Sequence, residues 1–362
     1  MNLVTALCII VGIGIVATIA TLIWGKYCPP PVIPVVPEPE SDPEAEPVTL
    51  ESDEELESFK RLKQDVSNPL KWVNSKGSPD KVAILVGINL CSRYVYQGET
   101  LALRGCVYDT IGMKAYAQKM GFGTVYHLTD ANATIQTFLN IWQDMLTTLK
   151  DGDTVLLHMS RHGMSTGVNL MEGDEEVVVP FEGEVFRGDQ AAVMHDGVII
   201  DDCFWRLFLH LPKVKLVYIN DSCYSATQFR VQDIVLTGVD QKDKPYRKAR
   251  AVSKEYLPGK NQTLDLKQLE KAFPKPPSLT PQFSLVSISG SQDHETSADA
   301  LINDQYQGAF TWGLLVNLNK NRTVTPNQLK GLVAATLLRK GFDQHPQVIV
   351  EGDQSLWNQP LF

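Results

Sequence analysis

The chain has 362 residues, 43 % hydrophobic and 21 % charged, an ordinary globular composition that allows one large or two modest domains with a sizeable core. Its six cysteines, at positions 8, 28, 91, 106, 203 and 223, make no CxxC pair and no metal-ligand spacing, which argues against a disulfide framework and a zinc site and suits a reducing compartment. The formal net charge of −9 comes from residues 29–59, which carry ten Asp and Glu and no Lys or Arg; −9 minus −10 leaves +1 elsewhere, so no basic patch for nucleic acid is expected.

Leu3–Trp24 is an uncharged, largely apolar run of 22 residues. A helix needs about 20 such residues to cross a hydrocarbon core of about 30 Å, and the run lacks the basic start of a signal peptide, so residues 1–27 read as a transmembrane anchor. Lys26 on its far side favours a cytoplasmic body, which gives a single-pass membrane protein. Residues 28–59, with Pro29-Pro30-Pro31, Pro34, Pro37, Pro39, Pro43 and Pro47, cannot bury enough apolar surface to fold and read as an extended acidic stalk.

From Lys60 onward the pattern becomes globular. Val82–Ile88, Thr124–Leu128, Thr154–Met159, Val214–Ile219, Phe283–Ser289 and Gln347–Val350 predict six strands. Helices are predicted at Leu103–Met120, Ala133–Leu149, Asp201–Leu209, Gly308–Leu318 and Pro326–Lys340. The alternation predicts an α/β fold, a mostly parallel six-stranded sheet with helices on both faces. Residues 238–281 break the rhythm: seven basic residues between Lys242 and Lys260 and a Pro-rich end read as an exposed linker between residues 60–237 and 282–362.

Two of these strands end in reactive side chains. Val214–Ile219 runs into Asn220-Asp221-Ser222-Cys223, and Thr154–Met159 runs into Ser160-Arg161-His162-Gly163. A free Cys is most often a small buried hydrophobe, so the thiol alone carries no function. Neighbouring parallel strands ending in His and Cys, however, would bring imidazole and thiol together at the carboxyl edge of the sheet, where such folds place their chemistry. Cys223 is the candidate nucleophile and His162 its base. His158, inside the apolar run, reads as an interior residue, and Cys203, beside Phe204 and Trp205, as core.

His162-Gly163 followed by Asp221-Ser222-Cys223 resembles the catalytic pair of the caspase-like cysteine peptidases, in particular the metacaspases. Leu103-Arg104-Gly105-Cys106-Val107-Tyr108-Asp109, the block Ile288–Ala300 and Gln344-His345-Pro346-Gln347 resemble further metacaspase segments in the family's order. The resemblance implies a type I-like chain with large and small subunit regions, acting as a monomer on protein substrates. By the same resemblance Cys223 would attack a peptide carbonyl, His162 would move the proton, and the backbone N–H groups of Gly163 and Cys223 would form the oxyanion hole. Asp109, Asp221, Ser160 and Cys106 match a pocket for Arg or Lys before the scissile bond. The linker would then be self-cleaved after Lys242, Lys244, Arg247, Lys248, Arg250 or Lys254.

The chemistry needs no cofactor. The resemblance adds Ca²⁺ as an activator, with Asp201, Asp202 and Asp174 as ligands, although a further family Asp falls on Arg230 here. Arg161 and Tyr224 also depart from the family pattern. Two function classes follow: a membrane-anchored cysteine endopeptidase, or a catalytically weak caspase-like scaffold at a membrane. The joint presence of Cys223, His162, Asp109 and Asp221 favours the enzyme.

Overall fold

The computed structural model describes residues 71–92, 96, 101–165, 190–222, 247–252, 258–259, 262–290 and 297–362. In chain order they form β1 (Lys71–Val73), β2 (Ser78–Gly87), α1 (Cys106–Lys119), β3 (Phe122–Thr129), α2 (Ile135–Leu146), β4 (Thr154–Ser160), β5 (Gly163–Ser165), β6 (Gln190–Met194), β7 (Gly197–Ile200), α3 (Asp201–Phe208) and β8 (Lys215–Asp221). After these come β9 (Arg247–Ala249), β10 (Ala251–Val252), β11 (Thr263–Leu264), α4 (Leu266–Ala272), β12 (Ser284–Ser289), β13 (Ala298–Ile302), β14 (Gln305–Gly308), α5 (Ala309–Lys320), α6 (Pro326–Arg339) and β15 (Gln347–Glu351).

The main sheet has the order β1-β3-β2-β4-β8-β12-β15. Its five inner strands are parallel, and both edges are antiparallel. The expected six strands are all present. The seventh, β1, is only 3 residues long with an exposed flank, too short to leave a periodic signal in sequence. Alternate residues of each inner strand serve opposite faces. Ile84, Val86 and Leu157 pack with Phe138 and Trp142 of α2 and Phe204 of α3, while Leu85, Leu156 and Val217 pack with Met113 of α1, Phe310 of α5 and Leu337 of α6. A sheet covered on both faces explains why these strands read as continuous apolar runs.

Two smaller sheets lie beyond the main one, in the orders β10-β5-β6-β7-β11 and β14-β13-β9. They recruit part of the stretch expected to be an exposed linker. Lys248 is only partly exposed, Ala249 and Arg250 are buried, and Arg250 is 0 % exposed, because this segment pairs with β13 on one side and β5 on the other.

The expectation of a single-pass membrane protein is corrected. Among the described residues no helix is long and apolar enough to cross a membrane. The longest, α1 and α6, have 14 residues each, roughly 21 Å at 1.5 Å per residue against the ~30 Å of a hydrocarbon core. The run Leu3–Trp24 and the stalk at 28–59 lie outside the described residues, and the cytoplasmic placement that depended on the anchor falls with it.

Trp142 is fully buried between Phe138 and Phe208, at ring-centroid distances of 6.0 and 5.7 Å, and its indole N–H has no partner. Its contribution is therefore apolar packing. Trp142→Ala is expected to lower unfolding stability by about 3–5 kcal/mol in urea titrations, and Trp142→Phe by much less. Ile349→Ala, at a site 52 % exposed, should stay within ~0.5 kcal/mol.

Candidate active site

The strand register sets the site. Gly87, Ser160 and Asp221 lie in one row across β2, β4 and β8, so the segments leaving β4 and β8 emerge side by side at the carboxyl edge of the sheet. His162, two residues past the end of β4, is buried. Its Nε2 lies 2.8 Å from the Leu101 carbonyl, which can only accept, so Nε2 carries the proton. That leaves Nδ1 as the bare nitrogen, with no hydrogen-bond partner. Burial, helped by the charge of Lys248, lowers the imidazole to about 3, so it is neutral near pH 7 and able to accept a proton. Leu101 itself sits at φ +46°, a left-handed conformation that costs a non-glycine residue roughly 1–2 kcal/mol.

Beside the histidine lies a pocket with no access to water. Asp109 enters from the first turn of α1, Asp221 from the end of β8 and Asp299 from β13, with side chains 1, 0 and 0 % exposed. Each carboxylate is held by fixed donors. Asp109 accepts from the Ser160 hydroxyl (2.6 Å) and the Gly308 N–H (2.8 Å). Asp221 accepts from the Thr311 N–H (3.0 Å), the Thr311 hydroxyl (2.6 Å) and the Ser297 hydroxyl. Asp299 accepts from the N–H groups of Gly105 (2.9 Å) and Arg104 (2.8 Å). Cys106 is fully buried alongside, its thiol pushed well up by burial.

The pocket is filled by the chain itself. Arg250 places Nη2 at 2.7 Å from Asp109 and 3.1 Å from Asp299, and Nη1 at 3.1 Å from Asp221 Oδ2 and 2.7 Å from the Ser160 hydroxyl. Its backbone is held as well: the Arg250 N–H donates to the Ser297 carbonyl (3.0 Å), and its carbonyl accepts from the Gly163 N–H (2.8 Å). On one side β9 runs antiparallel to β13, and on the other β10 runs parallel to β5. Gly308 is needed here, because a Cβ would lie 2.2 Å from Asp221 Oδ2 and 2.6 Å from Arg250 Nη1.

A family model described as Caspase domain matches residues 80–352. The chain belongs to the caspase domain family, a family of cysteine peptidases. Its relatives include Metacaspase-1A of Aspergillus fumigatus, 30 % identical over 305 residues covering 76 % of this chain and 69 % of that one. Metacaspase-1 of Debaryomyces hansenii is 29 % identical over 343 residues, covering 81 % and 69 %. Metacaspase-1B of Aspergillus oryzae is 27 % identical over 292 residues, covering 74 % and 66 %, so this chain spans just under two thirds of that relative's length. A crystal structure of a Geobacter sulfurreducens protein matches at TM-score 0.55 and 22 % identity, covering 78 % of this chain and 98 % of that one, a likeness of fold alone.

In this caspase domain His162, Gly163, Asp109, Asp221, Ser160 and Cys106 lie at one edge of the sheet. The described chain stops at Ser222, so Cys223 lies outside the described residues, as do Asp174, Lys242, Lys244, Lys254, Tyr224, Arg230 and the side chain of Arg247. Lys248 points away from the pocket and donates to the Ala102 carbonyl (2.6 Å). His158 faces α5, 3.4 Å from the Thr311 hydroxyl, and Cys203 packs in the core of α3. Asp201 and Asp202 occupy the first turn of α3, where a helix start favours acidic residues anyway. Among the described residues no group of three or more His, Cys, Asp or Glu side chains is gathered that could hold a metal ion; Asp174, the third expected calcium ligand, lies outside them. Asp299, Ser297 and Thr311 were not singled out as pocket residues; Asp299 and Ser297 stood inside the block resembling the family, and Thr311 left no signal.

Burial raises Asp109 to about 6 even with the guanidinium alongside. Removing Arg250 takes away the strongest influence pulling that carboxyl down. The folded chain then holds protons that the unfolded chain releases from about pH 4 upward, so stability falls as pH rises through that window. In a Cys223→Ala background, Arg250→Ala should cost about 3–5 kcal/mol at pH 8 and clearly less at pH 5. A deficit equal at both pH values in denaturant titrations would contradict this account.

Proposed function

We propose that this protein is a cysteine endopeptidase that cleaves after Arg or Lys, and that its first substrate is its own Arg250–Ala251 bond. The observation that carries the reading is the placement of Arg250. Its side chain lies in the carboxylate pocket while its carbonyl oxygen lies on the Gly163 N–H, next to a neutral His162. Of the six candidate cleavage positions, only Arg250 has its side chain described in the pocket. Arg or Lys preference follows from the charge of the pocket, which among the described residues sets three carboxylates around the guanidinium of Arg250.

The steps use the chain's own groups. The Cys223 thiol gives its proton to His162 Nδ1, and the thiolate sulfur bonds to the carbonyl carbon of the Arg residue. The carbonyl oxygen takes up the negative charge against the N–H groups of Gly163 and Cys223. On collapse the C–N bond breaks and the imidazolium returns its proton to the leaving amine. Water, losing a proton to His162, then bonds to the thioester carbon, the C–S bond breaks, the acid is released and the imidazolium returns its proton to the Cys223 thiolate. The imidazole is unprotonated across the neutral range and so open to the thiol proton, and the thiolate formed beside it favours the imidazolium that burial alone disfavours.

Arg250 also closes the pocket, so cleavage of other peptides must wait until it leaves. The test follows full-length protein by intact mass and assays fluorogenic peptides ending in Arg, Lys or Asp, beside Cys223→Ala. Expected are fragments that end at Arg250 and begin at Ala251, then hydrolysis of Arg and Lys peptides after a lag, all absent in Cys223→Ala. Cleavage that survives in that variant, or a preference for Asp, would overturn the proposal. A chain that cuts neither itself nor any peptide would favour the scaffold reading.

A further inference from the structure

Resting on the reading of the chain as a cysteine peptidase, we propose that Arg161 is a positioning residue for the oxyanion hole, one that clamps and polarises the peptide unit whose N–H receives the substrate carbonyl. Arg161 stands directly before the general base, where the sequence departs from the family pattern. Its side chain is buried, and Nη1 donates to the His162 carbonyl at 2.8 Å. That carbonyl and the Gly163 N–H belong to a single peptide unit. The N–H in turn donates to the Arg250 carbonyl at 2.8 Å, the oxygen that takes up negative charge on attack. Arg161 therefore grips one end of the dipole whose other end faces the reaction.

A peptide unit is planar, with C=O and N–H pointing opposite ways in the trans form, so fixing the carbonyl aims the N–H. This matters at Gly163, because a residue without Cβ lets the preceding peptide turn over at little cost. A turned peptide would present its carbonyl to the developing oxyanion and repel it. The Val193 N–H also donates to the His162 carbonyl, but at 3.3 Å, so the guanidinium makes the shorter and charge-assisted bond. A cationic donor on the carbonyl also draws electron density away from the amide nitrogen, which strengthens the N–H as a donor by roughly 10–30 %. Arg161 does this without touching the carboxylate pocket. Ser160 reaches Asp109 on one face of the sheet, whereas Arg161 lines a cavity of about 240 Å³ on the other face, with Phe204, Tyr218 and Asn220. Its Nε has no partner there. Burying a guanidinium that is incompletely bonded costs stability, so the carbonyl it holds accounts for its place better than packing does.

The experiment compares full-length wild type, Arg161→Met and Arg161→Lys, each left to self-cleave and then assayed on an Arg peptide. Methionine keeps an unbranched apolar chain and removes the clamp; lysine keeps the charge on a shorter reach. Complete loss of one oxyanion-hole donor costs about 10²–10³ in kcat, so a donor that is loosened and weakened should cost less. Arg161→Met is expected to self-cleave about 30-fold more slowly and to lose the same factor in kcat on the peptide. KM should stay within about threefold of wild type, because the uncharged carbonyl of the ground state gains little from the clamp. Arg161→Lys should lose about fivefold, in kcat alone. A loss below about fivefold in Arg161→Met, or a loss carried by KM, marks Arg161 as purely structural and overturns the inference. Should Arg161→Met fail to fold, Arg161→Lys working at the wild-type kcat overturns it. Wild type that cuts neither itself nor the peptide instead overturns the peptidase reading, and this inference with it.

Discussion

One guanidinium facing three carboxylates in a space closed to water is the constraint around which the carboxyl edge of this sheet is built. Removing a charge from water costs several kcal/mol, and only close pairing and complete hydrogen bonding offset it. Asp109, Asp221 and Asp299 meet that condition with backbone N–H groups from Arg104, Gly105, Gly308 and Thr311 and hydroxyls from Ser160, Ser297 and Thr311. Those donors come from the start of α1, the end of β4, the approach to β13 and the junction of β14 with α5. The pocket thus ties together segments far apart in the chain. Burial raises the Asp109 carboxyl to about 6, the guanidinium of Arg250 opposes that rise and the neighbouring Asp221 adds to it.

The same segment connects packing to function. Residues 247–252 are held as a strand would be, antiparallel to β13 before Arg250 and parallel to β5 after it. Main-chain pairing of this kind gives affinity with little regard to sequence, and a side-chain pocket adds the selection. Strand addition and the carboxylate pocket converge on one residue, and its carbonyl is the group that meets the Gly163 N–H. The neighbouring imidazole is kept neutral by burial and oriented by the Leu101 carbonyl, a backbone group that any side chain at position 101 could supply.

Sequence by itself determined the sheet and its two covering layers, because buried parallel strands such as Leu216–Ile219 must be apolar throughout and amphipathic helices carry their own period. It also determined which polar side chains stand at the ends of β4 and β8, since Ser160, His162 and Asp221 follow directly in chain order from the apolar runs that form those strands. Only the tertiary structure decided what enters the pocket. Arg250 is one of seven basic residues in a polar stretch, and nothing local separates it from Lys248, two positions earlier, whose side chain turns elsewhere. Which of them is buried depends on how β13 and β5 pair with that stretch, a long-range hydrogen-bond register that leaves no periodic signal in so short a strand. The role of Asp299 is hidden for the same reason: it becomes a pocket wall only when β13 is brought against the start of α1.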